Sequence, residues 1–252
     1  MGVEYLRAPI FEVIIGVGYK EPKIPLDTVL ANALLSDKFP IIEVSQPLKI
    51  NKLEGFQLQT LQTPNSGQIL AKRRSADNKW LVQIQADLLV LNWIRPDDEP
   101  VTAGHYIGFT AVKKEFFSVL STLGDHLGLN LLDDADFCHL AYLDRFPWQS
   151  GEISELSQIN QAMNISTPPK FTEEGYNNIC SQYTFHDASI QGFGVIKINT
   201  LTSFDRSQLI QIDSTLQGNP ADGLEPWLDR AHEKQLDIFE KTFKEGIKKT
   251  WK

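Results

Sequence analysis

His232 and Glu233 stand side by side in the run DRAHEKQ. A zinc-protease helix needs two histidines one turn apart with a glutamate after the first, and position 236 is Leu236. The pair therefore reads as a boundary histidine beside a solvated acid, without a metal. Asp229 and Glu233 lie four apart on one helix face, and the adjacent Arg230 and Lys234 turn that pair into an expected salt-bridged surface. A second constellation is Asn92, Trp93 and Arg95, an amide, an indole and a guanidinium at a strand end beside the acidic turn RPDDEP. These three, with His232 and Glu233, are the candidate binding residues. The plainer alternative has Trp93 capping the core, Asn92 facing solvent and Arg95 paired with Asp97 or Asp98.

Other chemistries lack a needed part. Cys138 precedes His139, but strand neighbours point to opposite faces, so they form no thiolate–imidazole pair. Cys180 and His186 would share a face about 20 Å apart at roughly 3.3 Å per residue. Gly192 and Gly194, like Gly16 and Gly18, lack the third glycine and following helix of a dinucleotide fingerprint. The phosphate-loop and nucleophile-elbow patterns are absent. No catalytic residue, cofactor or metal is assigned.

The elements that must position these residues follow from periodicity. The run from Ala8 to Lys20 is β-branched and apolar, a buried strand, and Pro25 opens a short helix, LDTVLANALL. Pro40 and Pro47 punctuate an irregular stretch. FQLQTLQ (56–62) alternates as a half-buried strand, PNSG (64–67) and ADNK (76–79) are turns, and GQILAKRR, WLVQIQ and LLVLNWI continue the meander. Phe109, Val112, Phe116, Val119, Leu120, Leu123 and Leu127 recur by threes and fours, a helix stopped by Gly128. CHLAYLDRF reads as a strand, ISELSQINQAM as a short helix, and NICSQYTFH, GFGVIKINT and SQLIQIDSTLQ as three strands. Asp222 with Glu225 fits a capping box before a long amphipathic helix carrying Leu224, Leu228, Ala231, Phe239, Phe243, Ile247 and Trp251.

Strand, short helix, meander and long helix thus occur twice. The expectation is an α+β fold: antiparallel sheet with two long amphipathic helices, in duplicated β-α-β-β-β-α halves, residues 1–130 and 131–252, packed as one body. Sheets placed edge to edge would make a helix-grip or TATA-box-binding-like saddle, a fold analogy without functional content.

The 252 residues carry 24 basic and 32 acidic side chains, a net charge of −8, and two cysteines. The pI near 5.2 opposes non-specific nucleic-acid binding. The basic run Lys72, Arg73 and Arg74 is expected at a solvated strand edge, and Lys241, Lys244, Lys248, Lys249 and Lys252 complement a helix dipole. Two cysteines cannot complete a structural zinc site, and their scarcity points to a reducing compartment. With neither a signal-peptide pattern nor a membrane-span pattern, a cytoplasmic protein is expected.

Four patches, RAPIFEVIIGV, VQIQADLLVLNWIR, CHLAYLDRF and WLDRAHEKQLDIFEKTF with a terminal tryptophan, resemble in order and spacing a sporadically distributed bacterial family of unknown function. The likeness spans nearly the whole chain, loosest at VTAGHYIGF, where that family is tyrosine-rich. It transfers no catalytic residues. Its patchy distribution implies an accessory of mobile defence or toxin–antitoxin systems.

Three functions remain open at this point. The first is a non-catalytic binding or regulatory protein that recognises a protein partner. The second is a small-molecule sensor with a cavity between sheet and helix. The third is an unrecognised hydrolase using His232, Glu233 or His139.

Overall fold

The fold is known from a computed structural model that describes residues 9–31, 33–45, 51–54, 57–60, 70–96, 106–147, 180–202 and 208–249. The β-branched run near the start forms β1 (Ile10–Gly18), followed by α1 (Leu26–Ala31). Then come β2 (Ile41–Ser45), β3 (Asn51–Glu54), β4 (Gln57–Thr60), β5 (Leu70–Arg74), β6 (Trp80–Gln85), β7 (Leu88–Ile94) and α2 (Phe109–Leu127). The remainder gives β8 (Phe137–Pro147), β9 (Cys180–Asp187), a 3₁₀ turn at Ala188–Ile190, β10 (Gly192–Thr202), β11 (Gln208–Gly218), α3 (Leu224–Thr242) and α4 (Glu245–Lys248).

Nine strands make one antiparallel sheet in the order β2-β5-β6-β7-β1-β8-β11-β10-β9. The expected α+β class, an antiparallel sheet with two long helices, is what the chain adopts. At the centre β1 pairs with β8, so a strand from near the start of the sequence and one from its middle share one ladder. On one side β1 is followed by β7, β6, β5 and the additional β2, and on the other β8 is followed by β11, β10 and β9. After its strands each wing has a helix of 19 residues.

The strand period assigns the faces. Val13, Ile15 and Val17 of β1 pair with Trp93, Leu91 and Leu89 of β7 and with Tyr142, Leu140 and Cys138 of β8. All lie in the core cluster shared with the buried stripes of α2 (Val112, Phe116, Leu120, Leu123) and α3 (Trp227, Leu228, Ala231). Each large apolar side chain buried this way contributes about 1.5–3 kcal/mol. Helix α2 stops at Gly128 with φ 65°, a left-handed cap suited to glycine.

Several sequence expectations need correction. The stretch before Pro47 holds β2, which pairs with β5; its five residues are too short for the periodic signal to rise above the flanking prolines. The strand within FQLQTLQ is β4, which pairs with β3 in a separate two-stranded ladder and does not join the meander. Lys72, Arg73 and Arg74 lie on β5, an interior strand, and Arg73 is 2% exposed, because β2 covers the edge that β5 would otherwise form. Asp222 is not a capping residue: Gly223 is the N-cap of α3 with no side-chain cap, and Asp222 instead forms a bidentate pair with Arg230 at 2.5 and 2.7 Å. The ISELSQINQAM helix, the PNSG turn, Asp97, Asp98, Trp251 and Lys252 lie outside the described residues.

The face of the sheet away from the helices is also buried in its middle. Gln83, Gln85, Val90 and Asn92 are each under 9% exposed, so β6 and β7 are enclosed on both sides.

Candidate functional sites: an internal polar cluster and an open sheet edge

Trp93, Arg95 and His232 meet around one cluster on the helix side of the sheet. Trp93 packs its ring 5.3 Å from that of Tyr106, just before α2. The Tyr106 hydroxyl lies 3.3 Å from the Tyr142 hydroxyl of β8, which in turn lies 3.0 Å from Nδ1 of His232 on α3. The His232 ring stacks on Phe109 at 4.1 Å and 13°. The α2 start, the centre of β8 and the third turn of α3 thus place three polar rings in a row.

Burial governs the electrostatics of this row. It lowers the His232 imidazole to about 4, against a smaller raising effect of Asp229, and it raises the Tyr142 and Tyr106 phenols well above their ordinary range. At neutral pH all three rings are uncharged, and Nδ1 of His232 is engaged by a phenol. Two residues along β8 on the same face, Asp144 is 5% exposed, and its Oδ1 has no hydrogen-bond partner. Desolvation pushes its carboxyl up to about 7, with the Arg95 guanidinium acting in the opposite direction.

Asn92 and Glu233 do not join this cluster. Glu233 is exposed on α3. Asn92 is 4% exposed rather than solvent-facing, because its side chain points to the opposite sheet face and is covered there. It accepts from Gln83 at 3.0 Å and donates to Glu12 Oε1 at 2.5 Å. Burial raises the Glu12 carboxyl, opposed by the Asn92 hydrogen bond and then by Arg145. His139 lies on that far side too, with Nδ1 3.3 Å from Gln217 Nε2, so it cannot cooperate with His232. Cys138 packs in the core, where burial pushes its thiol up.

Glu225, Asp229, Asp237 and Glu240 of α3 are engaged in ion pairs. Lys113 of α2 reaches Asp229 at 2.6 Å and Glu225 at 3.1 Å, tying the two long helices together. Lys234 reaches Asp187 at 2.7 Å. Among the described residues no group of three or more histidines, cysteines, aspartates and glutamates could hold a metal ion.

Sequence reading passed over Tyr106, Tyr142 and Asp144, which lie on a loop and a strand without any motif. The period-two spacing of Tyr142 and Asp144 was the available signal, since it puts both on the face of Leu140.

The outer edge is different in kind. β2 is an end strand of the sheet, and Ile41, Ile42 and Val44 are 40%, 47% and 57% exposed. Between them Glu43 is exposed and sits opposite Lys72 of β5. The other end strand, β9, presents Gln182 and His186 with Tyr183 as its large exposed apolar residue.

These features define an α+β protein with a nine-stranded antiparallel sheet, two long helices on one face and an apolar edge strand. No described helix is long and apolar enough to cross a membrane. No protein-family model matches the chain, and no curated protein matches it.

Proposed function

We propose that the protein is a non-catalytic binding module that recognises a protein partner by accepting an extended segment of it alongside β2. The observation that carries this reading is the edge itself. An end strand leaves backbone N–H and C=O groups open to a further strand, and β2 adds three exposed β-branched side chains within four residues. Edge strands that avoid pairing are usually blunted by charge, lysine above all, by proline or by a bulge; within Ile41–Ser45 β2 has no lysine, proline or register shift, and Glu43 is its one charge. The charge pattern selects the partner. In an antiparallel pairing of two β2 copies that sets Ile42 against Val44, Glu43 would face Glu43, and like charges opposite one another destabilise a ladder. A partner segment with a basic residue flanked by apolar ones complements the edge.

The non-catalytic part of the reading is supported by the internal cluster, whose polar rings are neutral and engaged with one another. The order β7-β6-β5 beside β1 matches β11-β10-β9 beside β8, with β2 additional, and this supports descent from a duplicated unit. A cytoplasmic accessory role in mobile defence or toxin–antitoxin systems belongs to the same proposal and rests on the sequence resemblance.

The test is hydrogen exchange at the Ile41–Ser45 amides, with and without partner captured by the wild-type chain from its host. Protection confined to β2, together with loss of capture by the Ile42→Lys/Val44→Lys double variant, is expected. Unchanged capture by a folded double variant would refute strand addition, and substrate turnover abolished by one point substitution would refute the non-catalytic reading.

The sensor reading has one observation in its favour, a cavity of about 40 Å³ between the sheet and α3. That is far below the roughly 300–1,000 Å³ of metabolite pockets, so strand addition is preferred.

A further inference from the structure

The same cavity has an unusual lining. Its walls are the apolar side chains of Ile10, Ile212, Ile238 and Phe239, with Leu236 of α3 also lining it. Leu236 is 40% exposed, which puts it where the cavity reaches the surface. Into it faces Asp144, whose Oδ1 is buried and without a hydrogen-bond partner. A buried acceptor without a donor is costly, so the site is incomplete as it stands.

The neighbouring polar groups are already committed. Ser214 donates to Gln235 Oε1 at 2.7 Å, and Gln235 Nε2 donates to the carbonyls of Ser214 at 2.8 Å and Leu140 at 3.3 Å. The Tyr142 hydroxyl is held between Tyr106 and His232. A buried water makes about three hydrogen bonds, and it would find here only the open Asp144 acceptor and the Thr242 hydroxyl among mostly apolar walls. A molecule with a single donor end and an apolar remainder fits better. Its charge is also selected: apart from Asp144 the lining side chains are uncharged, and burial disfavours charge here strongly enough to raise the Asp144 carboxyl to about 7 in spite of Arg95. A neutral ligand is therefore favoured over a cation, which would have to be desolvated to enter.

We propose that the cavity beneath α3 binds a small neutral molecule that presents an N–H or O–H donor to Asp144 and a short apolar part to Ile10, Ile212 and Ile238. At about 10–15 Å³ per water-sized site, the volume admits about three or four non-hydrogen atoms, the size of a primary amide or a short alcohol. This site is independent of the β2 edge.

The experiment is a titration of the full chain with acetamide and with propan-2-ol, followed by amide NMR, with ethylammonium as the charged counterpart. Saturable shifts of the Gln235 side-chain amide and of the Ser214 backbone, in the millimolar range set by so few atoms, are expected for at least one neutral probe. Two variants locate the site. Asp144→Leu removes the acceptor, and Leu236→Trp blocks the cavity from an exposed position that folding tolerates; each is expected to weaken binding by about tenfold or more. If Asp144→Leu does not fold, Leu236→Trp decides alone. Absence of saturable shifts with both neutral probes, binding unchanged in Leu236→Trp, or ethylammonium binding as tightly as the neutral probes would each overturn the proposal.

Discussion

Asp144 and His232 respond to pH in opposite directions, although both are displaced by the same cause. Burial raises Asp144 from 3.8 to about 7, so the folded chain binds a proton that the unfolded chain has released. Stability from this group is present at low pH and is lost as pH rises toward 7. Burial lowers His232 from 6.5 to about 4, so the unfolded chain binds the extra proton and stability is lost as pH falls from 6.5 toward 4. Asp144→Asn is therefore expected to gain stability relative to the wild type as pH rises, by up to about 4 kcal/mol at roughly 1.4 kcal/mol per unit of displacement. Urea unfolding of both chains at about pH 5 and pH 8 measures the difference, and equal differences at the two values would exclude a displaced Asp144. Tyr142→Phe bears on the other arm. It removes the hydroxyl between Tyr106 and His232, at an expected cost of about 1–3 kcal/mol, measurable in the same denaturant titration. The His232 ring resonances in the wild type are expected to titrate with a midpoint near 4.

At the scale of elements, close approaches at glycine decide how the strands and α3 fit. A Cβ added at Gly218 would lie 2.2 Å from the Ile190 carbonyl and 2.7 Å from Nε1 of Trp227. Those two atoms are themselves hydrogen-bonded at 2.8 Å, the link that seats α3 against the 3₁₀ turn. Because the obstacle includes backbone, Gly218→Ala is expected to destabilise by about 1–3 kcal/mol, more than Gly128→Ala. At Gly128 there is open space, and the strain comes from the positive φ alone, about 1 kcal/mol. Thermal unfolding of the two variants gives the ranking. Gly194, read from sequence as part of a strand and not of a dinucleotide fingerprint, sits beneath the Phe185 ring, its partner on β9, and that packing role is what the sequence pattern did not reveal. The long helices and most strands were legible because their apolar stripes repeat often enough to be counted. β2 was not, since five residues between prolines carry too little periodicity, and its identity comes from pairing with β5, a long-range fact. The site was legible in part. Trp93, Arg95 and His232 do converge, but Tyr142 and Asp144, which join them, are ordinary strand residues until β8 is laid against α3.

For the whole molecule the question is whether the two wings unfold together. Their junction is the β1–β8 ladder, which runs from Ile10↔Asp144 to Gly18↔Phe137 with one irregularity near Ile10 and Glu12. The core is likewise undivided: Val13, Ile15 and Val17 lie in one cluster with residues of α2 and α3. Lys113 adds a bridge between those helices. Separating the wings would expose both central strands and the inner faces of both helices, so neither wing retains a complete core alone. Cooperative, single-step unfolding is the expected consequence. Ile15 is the informative position, being fully buried in the junction strand. Ile15→Ala is expected to cost about 2–5 kcal/mol and to lower both wings equally. Trp93, in the first wing, and Trp227, in the second, provide separate reporters when each in turn is the one tryptophan retained and the other four of the five, Trp80, Trp148 and Trp251 included, are replaced by phenylalanine. Coincident denaturation curves from the two reporters, shifted together by Ile15→Ala, would establish one folding unit; a transition of Trp227 that ignores the substitution would show that the C-terminal wing holds its structure without β1.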